Sequence, residues 1–239
     1  MDIEVLANSG LVAERAASII ADCAWEAIAA RGVFVMAVSG GQTPWIMLRW
    51  LAAANLPWRV VHVVQVDERV APAGHTDRNL THLNESLLKD APLPLDQLYA
   101  MPVESPDLKA AASQYARTLR EIAGAPPVID LVHLGLGPDG HTASLVPGDP
   151  VLDVDDADVA LSGPYQGRRR MTLTFPVINR ARSILWVVTG REKAGMVSRL
   201  LDGDRVIPAG RVSGERALLL ADCAAAGQPA GKTGGVACA

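Results

Sequence analysis

The chain has 239 residues, 49% of them hydrophobic and 20% charged, with a formal net charge of −4. That balance excludes an intrinsically disordered chain, which combines low hydrophobicity with high net charge. Twenty-one glycines, 16 prolines and 3 cysteines exclude collagen-like and disulfide-scaffold classes, and an acidic chain with only 4% aromatics offers nucleic acid neither a basic face nor a stacking platform.

No stretch approaches the roughly 20 apolar residues that span a bilayer. The opening MDIEVLANSG lacks a basic region followed by an apolar run. The protein is therefore expected in the cytoplasm, with no membrane partner. Cys23, Cys223 and Cys238 stand in no metal-ligand spacing and read as reduced thiols. No metal site is expected.

Two periodicities alternate along the chain. Val12, Ala16, Ile19, Ile20, Cys23 and Ala27 follow helical spacing, which predicts an amphipathic helix over 11–30. Val33 to Val38 is an apolar run and reads as a buried strand, followed by SGGQTP and a helix with Pro44 in its first turn. Val60 to Val66 is a second strand ending at Asp67, followed by helices around 77–89 and over 107–123. Ile129 to Leu134 is a third, ending in GLGPDGH. Ser183 to Thr189 is a fourth, with a helix over 191–201. Thr172 to Phe175, Val159 to Ser162 and Ala217 to Leu220 read as lesser strands.

Apolar strands alternating with helices predict an α/β chain of Rossmann-like, doubly wound type, with a mainly parallel sheet covered on both faces. One domain is expected over 1–226, with a Gly/Ala-rich tail over 227–239. Ligands of such sheets bind beyond the carboxyl ends of the strands. Four loops therefore matter: 39–44, 67–79, 135–148 and 190–193.

In Ser39-Gly40-Gly41-Gln42-Thr43-Pro44, two glycines let backbone approach a ligand, and the helix start behind them favours a phosphate. A tight turn capped by Thr43 is the alternative. Asp67-Glu68-Arg69 reads either as a surface ion-pair cluster or as a carboxylate and guanidinium aimed at a polar substrate. His75, in the loop beyond, is expected to face solvent. Gly135 to His141 formally matches G-x-G-x-x-G. That dinucleotide fingerprint requires a long helix straight after it, and Pro147, Gly148 and Pro150 forbid one. The loop reads instead as a rigid mount for Asp139 and His141, a histidine being the usual general base near neutral pH.

Lys193, in the first turn of its helix, works against the helix dipole unless an anion compensates. Among Arg168, Arg169 and Arg170, at least one is a candidate phosphate clamp. Gly227 to Thr233 imitates a Walker A loop but is one residue short between its glycines. His62 and His133 sit inside apolar strands and read as core or core-edge residues.

Taken together, SGGQTP at 39–44, DERVAP at 67–72, GLGPDGHTASLVPG at 135–148, RMTLTFPVINRA at 170–181 and GREKA at 190–194 resemble the 6-phosphogluconolactonase family. Its fold group is shared with glucosamine-6-phosphate deaminase. The resemblance implies hydrolysis of 6-phospho-D-glucono-1,5-lactone to 6-phosphogluconate, in the oxidative pentose phosphate pathway, without metal or organic cofactor. It implies a sugar-phosphate lactone as the small-molecule partner, and a monomer or weak homodimer. By the same resemblance, Gly40, Gly41, Gln42, Thr43, Arg170 and Lys193 hold the phosphate. Asp67 and Arg69 face the substrate, and His141 is the general base supported by Asp139.

Two departures stand out. The family commonly has Asp-Ser-Asn where this chain has Asp77-Arg78-Asn79, and Ser or Thr where it has Gln42. The deaminase branch carries a glutamate where Val146 stands, and Asp-Glu-Tyr where this chain has Asp67-Glu68-Arg69. Both changes favour the lactonase over the deaminase. A regulatory module that only binds a sugar phosphate would not need His141 and Asp139.

Overall fold

The computed structural model describes residues 1–227. The tail expected from Gly227 onward, with its Walker-like segment, lies outside the described residues beyond Gly227. In chain order the strands are β1 (Asp2–Leu6), β2 (Phe34–Val38), β3 (Val61–Gln65), β4 (Asp67–Arg69), β5 (Leu98–Tyr99), β6 (Leu131–Leu134), β7 (Val159–Tyr165), β8 (Arg168–Leu173), β9 (Ser183–Val188) and β10 (Ala217–Asp222). The helices are α1 (Ser9–Arg31), α2 (Gln42–Ala52), α3 (Asn79–Leu83), α4 (Leu108–Ala123), α5 (Phe175–Asn179) and α6 (Ala194–Leu201).

Seven strands form a parallel sheet in the order β1-β10-β9-β6-β2-β3-β5. Residues alternate across it because successive strand side chains point to opposite faces. Val35, Ala37, Val132, Leu134, Ile184 and Trp186 pack under α4 and α5. Phe34, Met36, Val38, Leu131, Leu185 and Val187 pack under α1 and α2. The doubly covered parallel sheet is thus the α/β architecture the patterning implies.

Local chemistry sets the helix ends. Asn8 caps α1, its side chain accepting from the Leu11 N–H at 3.0 Å. Gly32 ends the helix in the left-handed region. Asp107 caps α4 in the same way, accepting from Ala110. The helix expected over 77–89 is α3 continued by a wider turn through Leu88.

A second, antiparallel sheet was not expected. It has the order β4-β8-β7 and stands at the carboxyl end of β3. The chain changes sheets at Val66, whose N–H donates to Val38 O at 3.0 Å while its carbonyl accepts from Leu173 N at 2.8 Å. Asp67-Glu68-Arg69 is therefore a strand in its own right rather than the start of a loop. Phe175, expected in the strand, opens α5. Among the described residues, no helix is long and apolar enough to cross a membrane. Cys23 is a free thiol, but Cys223 is disulfide-bonded, which corrects the reading of three reduced thiols.

Candidate active site

A cleft of about 400 Å³ opens at the carboxyl ends of the parallel strands. Its walls include Gly40, Gly41, Gln42, Thr43, Asp67, Arg69, His141, Arg170 and Lys193. All were singled out from the sequence. Asp139 stands behind His141 rather than on the wall.

The floor is the loop between β2 and α2. Gly41, with φ of +141°, is the N-cap of α2. A side chain is disfavoured at that dihedral, so glycine is required. Thr43 is not the cap. It lies inside the helix, and its hydroxyl pairs with that of Thr189 at 2.7 Å. The first-turn N–H groups of α2 have no intrahelical acceptor, and the helix dipole adds positive potential where they meet the cleft. The loop is anchored from below by His133, whose Nδ1 accepts the Ser39 N–H at 3.2 Å.

The second wall is the rigid turn after β6. Gly137 N–H donates to His141 O at 2.8 Å, and Gly140 N–H to Gly137 O at 3.0 Å. A Cβ on Gly137 would lie 2.0 Å from His141 Nδ1, so only glycine lets the ring fold back over the turn. In that position His141 Nδ1 lies 2.5 Å from Asp139 Oδ1. The same oxygen accepts the His141 backbone N–H at 3.2 Å. The i, i+2 pair therefore converges. Burial raises the Asp139 pKa, but hydrogen bonds from the His141 side chain and backbone and from Tyr165 outweigh it, and the carboxyl titrates below its ordinary value. An ionised carboxylate only accepts, so His141 Nδ1 carries the proton and Nε2 is left as the basic nitrogen.

The third wall is the second sheet. Arg69 and Arg170 are directly opposed across β4 and β8. Like charges so placed repel. Burial first, and then Arg69, push the Arg170 guanidinium below its usual pKa, with Asp67 and Tyr165 opposing. Such a pair is a cost unless an anion joins it. Of the three neighbouring arginines, only Arg170 lines the cleft. Arg168 instead pairs with Asp77 at 3.0 Å and meets His75 Nε2 at 3.2 Å, and Arg169 is exposed. His75, expected in solvent, is partly buried in that cluster.

Asp67 is buried, and each of its oxygens has a partner. Ser144 donates to Oδ2 at 2.7 Å, and Asn79 Nδ2 to the backbone oxygen at 2.9 Å and to Oδ1 at 3.3 Å. Glu68 points the other way. It is fully buried and accepts from the backbone N–H groups of Arg69, Asn79 and Leu80. Arg78 sits 3.1 Å from it and 2.8 Å from Glu104. Arg78, the departure noted above, is thus a buried structural cation. Lys193 ends the turn Arg191–Lys193 and caps α6, bringing its side chain to the cleft beside Glu192. Tyr165, Ser144, Asn79 and Gln166 belong to the site and were not identified from sequence.

Fold and site together define an α/β enzyme whose cleft brings a glycine-capped helix start to a carboxylate-held histidine. Residues 7–220 match the family model described as glucosamine-6-phosphate isomerases/6-phosphogluconolactonase, and the chain belongs to that family. Within it, the similarities lie with the lactonase branch. The chain is 38% identical to the 6-phosphogluconolactonase of a Synechocystis strain, covering 80% of this chain and 81% of that one. It is 34% identical to that of Mycobacterium bovis, covering 92% and 95%. The crystal structure of 6-phosphogluconolactonase from Thermotoga maritima superposes with a TM-score of 0.83 at 26% identity, over 92% of this chain and 98% of that one. A monomeric glucosamine-6-phosphate deaminase shares the fold, with a TM-score of 0.84 at 19% identity over 96% of this chain and 100% of that one.

Proposed function

We propose that this chain hydrolyses 6-phospho-D-glucono-1,5-lactone to 6-phospho-D-gluconate, a step of the oxidative pentose phosphate pathway, and that residues 1–226 act as one α/β domain. The observation that carries this reading is the pairing, in one cleft, of a carboxylate-held imidazole with an arginine pair in need of an anion. His141 Nδ1 is 2.5 Å from Asp139, and Arg69 opposes Arg170 across the strand pair.

The loop at Gly40–Thr43, Arg170 and Lys193 take the 6-phosphate. That anchor is remote from the reacting carbon and orients it. His141 Nε2 accepts a proton as water attacks C1, forming the tetrahedral oxyanion. The proton then passes to the ring oxygen as the bond from C1 to that oxygen breaks. Asp139 holds the tautomer and stabilises the imidazolium between the two transfers. Arg69 and cleft-facing backbone N–H groups are the candidate oxyanion donors. Asp67, fixed by Ser144 and Asn79, faces the sugar ring. Every step uses the chain's own backbone and side-chain groups and water. Val146 is a buried hydrocarbon and supplies no acid for ring opening of an amino sugar.

The test is hydrolysis of freshly generated lactone, followed as acid release above the spontaneous rate with EDTA present. Acceleration by the wild type and its loss in His141→Ala are expected. A folded wild type with no acceleration overturns the reading and sends the protein to an ammonia-release assay with glucosamine 6-phosphate.

A further inference from the structure

Between the histidine and the arginine of the cleft lies a tyrosine to which neither the proposed chemistry nor the family resemblance assigns work. Tyr165 ends β7, where the chain reverses through Gln166 and Gly167 into β8. Gln166 has φ of +52° and Gly167 of +78°. Two successive left-handed residues make the tight hairpin turn whose twist matches its strands. Tyr165 pairs with Arg168 across that turn. Its backbone is thus held by the shortest hairpin connection rather than by a loose loop.

The side chain reaches both ends of the site. Its hydroxyl donates to Asp139 Oδ2 at 3.0 Å and lies 3.4 Å from His141 Nδ1. With Oδ1 given to His141 and Oδ2 to Tyr165, neither oxygen of Asp139 is free to rotate away from the imidazole. The Tyr165 ring meets the His141 ring edge-on, with centroids 5.1 Å apart. Its face lies under the Arg170 guanidinium, 5.0 Å from the centroid. Arg170 Nη2 also donates to the Tyr165 carbonyl at 3.4 Å and to Gln166 Oε1 at 3.3 Å. Titration agrees with the contact. Burial and the hydrogen bond to Asp139 raise the phenol pKa, while that same bond helps lower the pKa of Asp139.

We infer that Tyr165 is a positioning residue that sets the His141–Asp139 pair and the Arg170 phosphate clamp in register with each other. The inference rests on the lactonase reading above. The hydroxyl and the ring do separable work. The hydroxyl fixes the carboxylate that orients the base and therefore acts on the chemical step. The ring face seats the guanidinium and therefore acts on substrate binding. A lactone held by its phosphate on one side of this tyrosine meets a base fixed by the other.

The experiment is steady-state kinetics on the lactone for wild type, Tyr165→Phe and Tyr165→Leu. Tyr165→Phe keeps the ring and its packing. It is expected to lower kcat about tenfold with KM within about twofold of wild type, one hydrogen bond to a charged group having been removed. Tyr165→Leu is expected to show the same fall in kcat and a rise in KM of about threefold to tenfold, since a cation seated on an aromatic face is lost. Recovery of KM but not of kcat on going from Leu to Phe is a split that general loosening of the fold does not produce. A Tyr165→Phe enzyme with wild-type kcat overturns the role of the hydroxyl. A Tyr165→Leu enzyme with wild-type KM overturns that of the ring. An inactive, folded wild type instead overturns the lactonase reading on which the inference stands.

Discussion

His133 and His141 belong to one stretch of chain, the strand β6 and the turn after it, and they do opposite work. His133 is fully buried, and its Nδ1 accepts a backbone N–H from Ser39. Burial pushes its pKa down to about 3, so the ring stays neutral. His141 faces the cleft, and its Nδ1 meets the ionised carboxylate of Asp139 at 2.5 Å. A ring whose acceptor nitrogen is spent on backbone is a strut. A ring whose donor nitrogen is spent on a carboxylate keeps its acceptor for substrate. The role of an imidazole is therefore set by what occupies its first nitrogen. The strut matters too, because the loop it holds is the one proposed to bind phosphate.

The sharpest way to break this comparison is to remove the reactive ring. His141→Ala is expected to lower kcat by about 10²–10⁴-fold, the usual worth of a positioned acid–base group. Its thermal midpoint should stay near that of wild type, since the side chain lines an open cleft. A variant retaining most of its kcat takes His141 out of the base role. Asp139→Asn comes next. The amide does not hold the proton on Nδ1 as a carboxylate does. A fall in kcat of about 10²-fold is expected, with KM little changed, and an unchanged kcat would leave the carboxylate ornamental.

The third test addresses the strut. His133 binds a proton in the unfolded chain below about pH 6.5 and not in the folded one until about pH 3. The unfolded state therefore holds more protons in that window, and stability falls as pH falls through it, by about 1.4 kcal/mol per unit. Between pH 7 and pH 5 this amounts to about 2 kcal/mol. His133→Asn retains an acceptor for Ser39 and does not titrate. Urea unfolding at the two pH values should show that loss in wild type and lack it in the variant. Equal losses in both would assign the acid sensitivity elsewhere.

Much of this arrangement was legible before the fold was known, and the parts that were not share a cause. The runs at 34–38, 131–134 and 183–188 announce strands because buried parallel strands are apolar on both faces. The loops after them announce a site because ligands sit beyond those carboxyl ends. Val159 to Ser162 and Thr172 to Phe175 read as lesser strands, but the second sheet they build with the charged Asp67-Glu68-Arg69 was illegible, because that pairing depends on register across the chain. The same long-range pairing brings Ser144 to Asp67, which it meets 77 residues away in sequence. Tyr165 reaches Asp139 across 26 residues. Glu68 and Asp67 look alike in sequence. They differ in what they face: Asp67 lines the cleft, whereas Glu68 points away from it and pairs with Arg78.

The smallest expected effect separates the two cations proposed to hold the phosphate. Arg170 is buried, lies on an aromatic face and is opposed by Arg69, a repulsion that the proposed anion would relieve. Lys193 is half-buried at the start of α6, where water competes for the ammonium. A charge contact in that setting contributes less than one in a dry pocket. Lys193→Ala should therefore raise KM about tenfold with kcat near wild type, the signature of binding that ground state and transition state share. The rise should weaken as salt is added, because an exposed charge is screened and a buried one is not. An unchanged KM would move the phosphate away from α6 and leave the Gly40–Thr43 loop and Arg170 to hold it alone. A fall in kcat without a change in KM would place the ammonium at the reacting end of the lactone instead, on the same side of Tyr165 as His141.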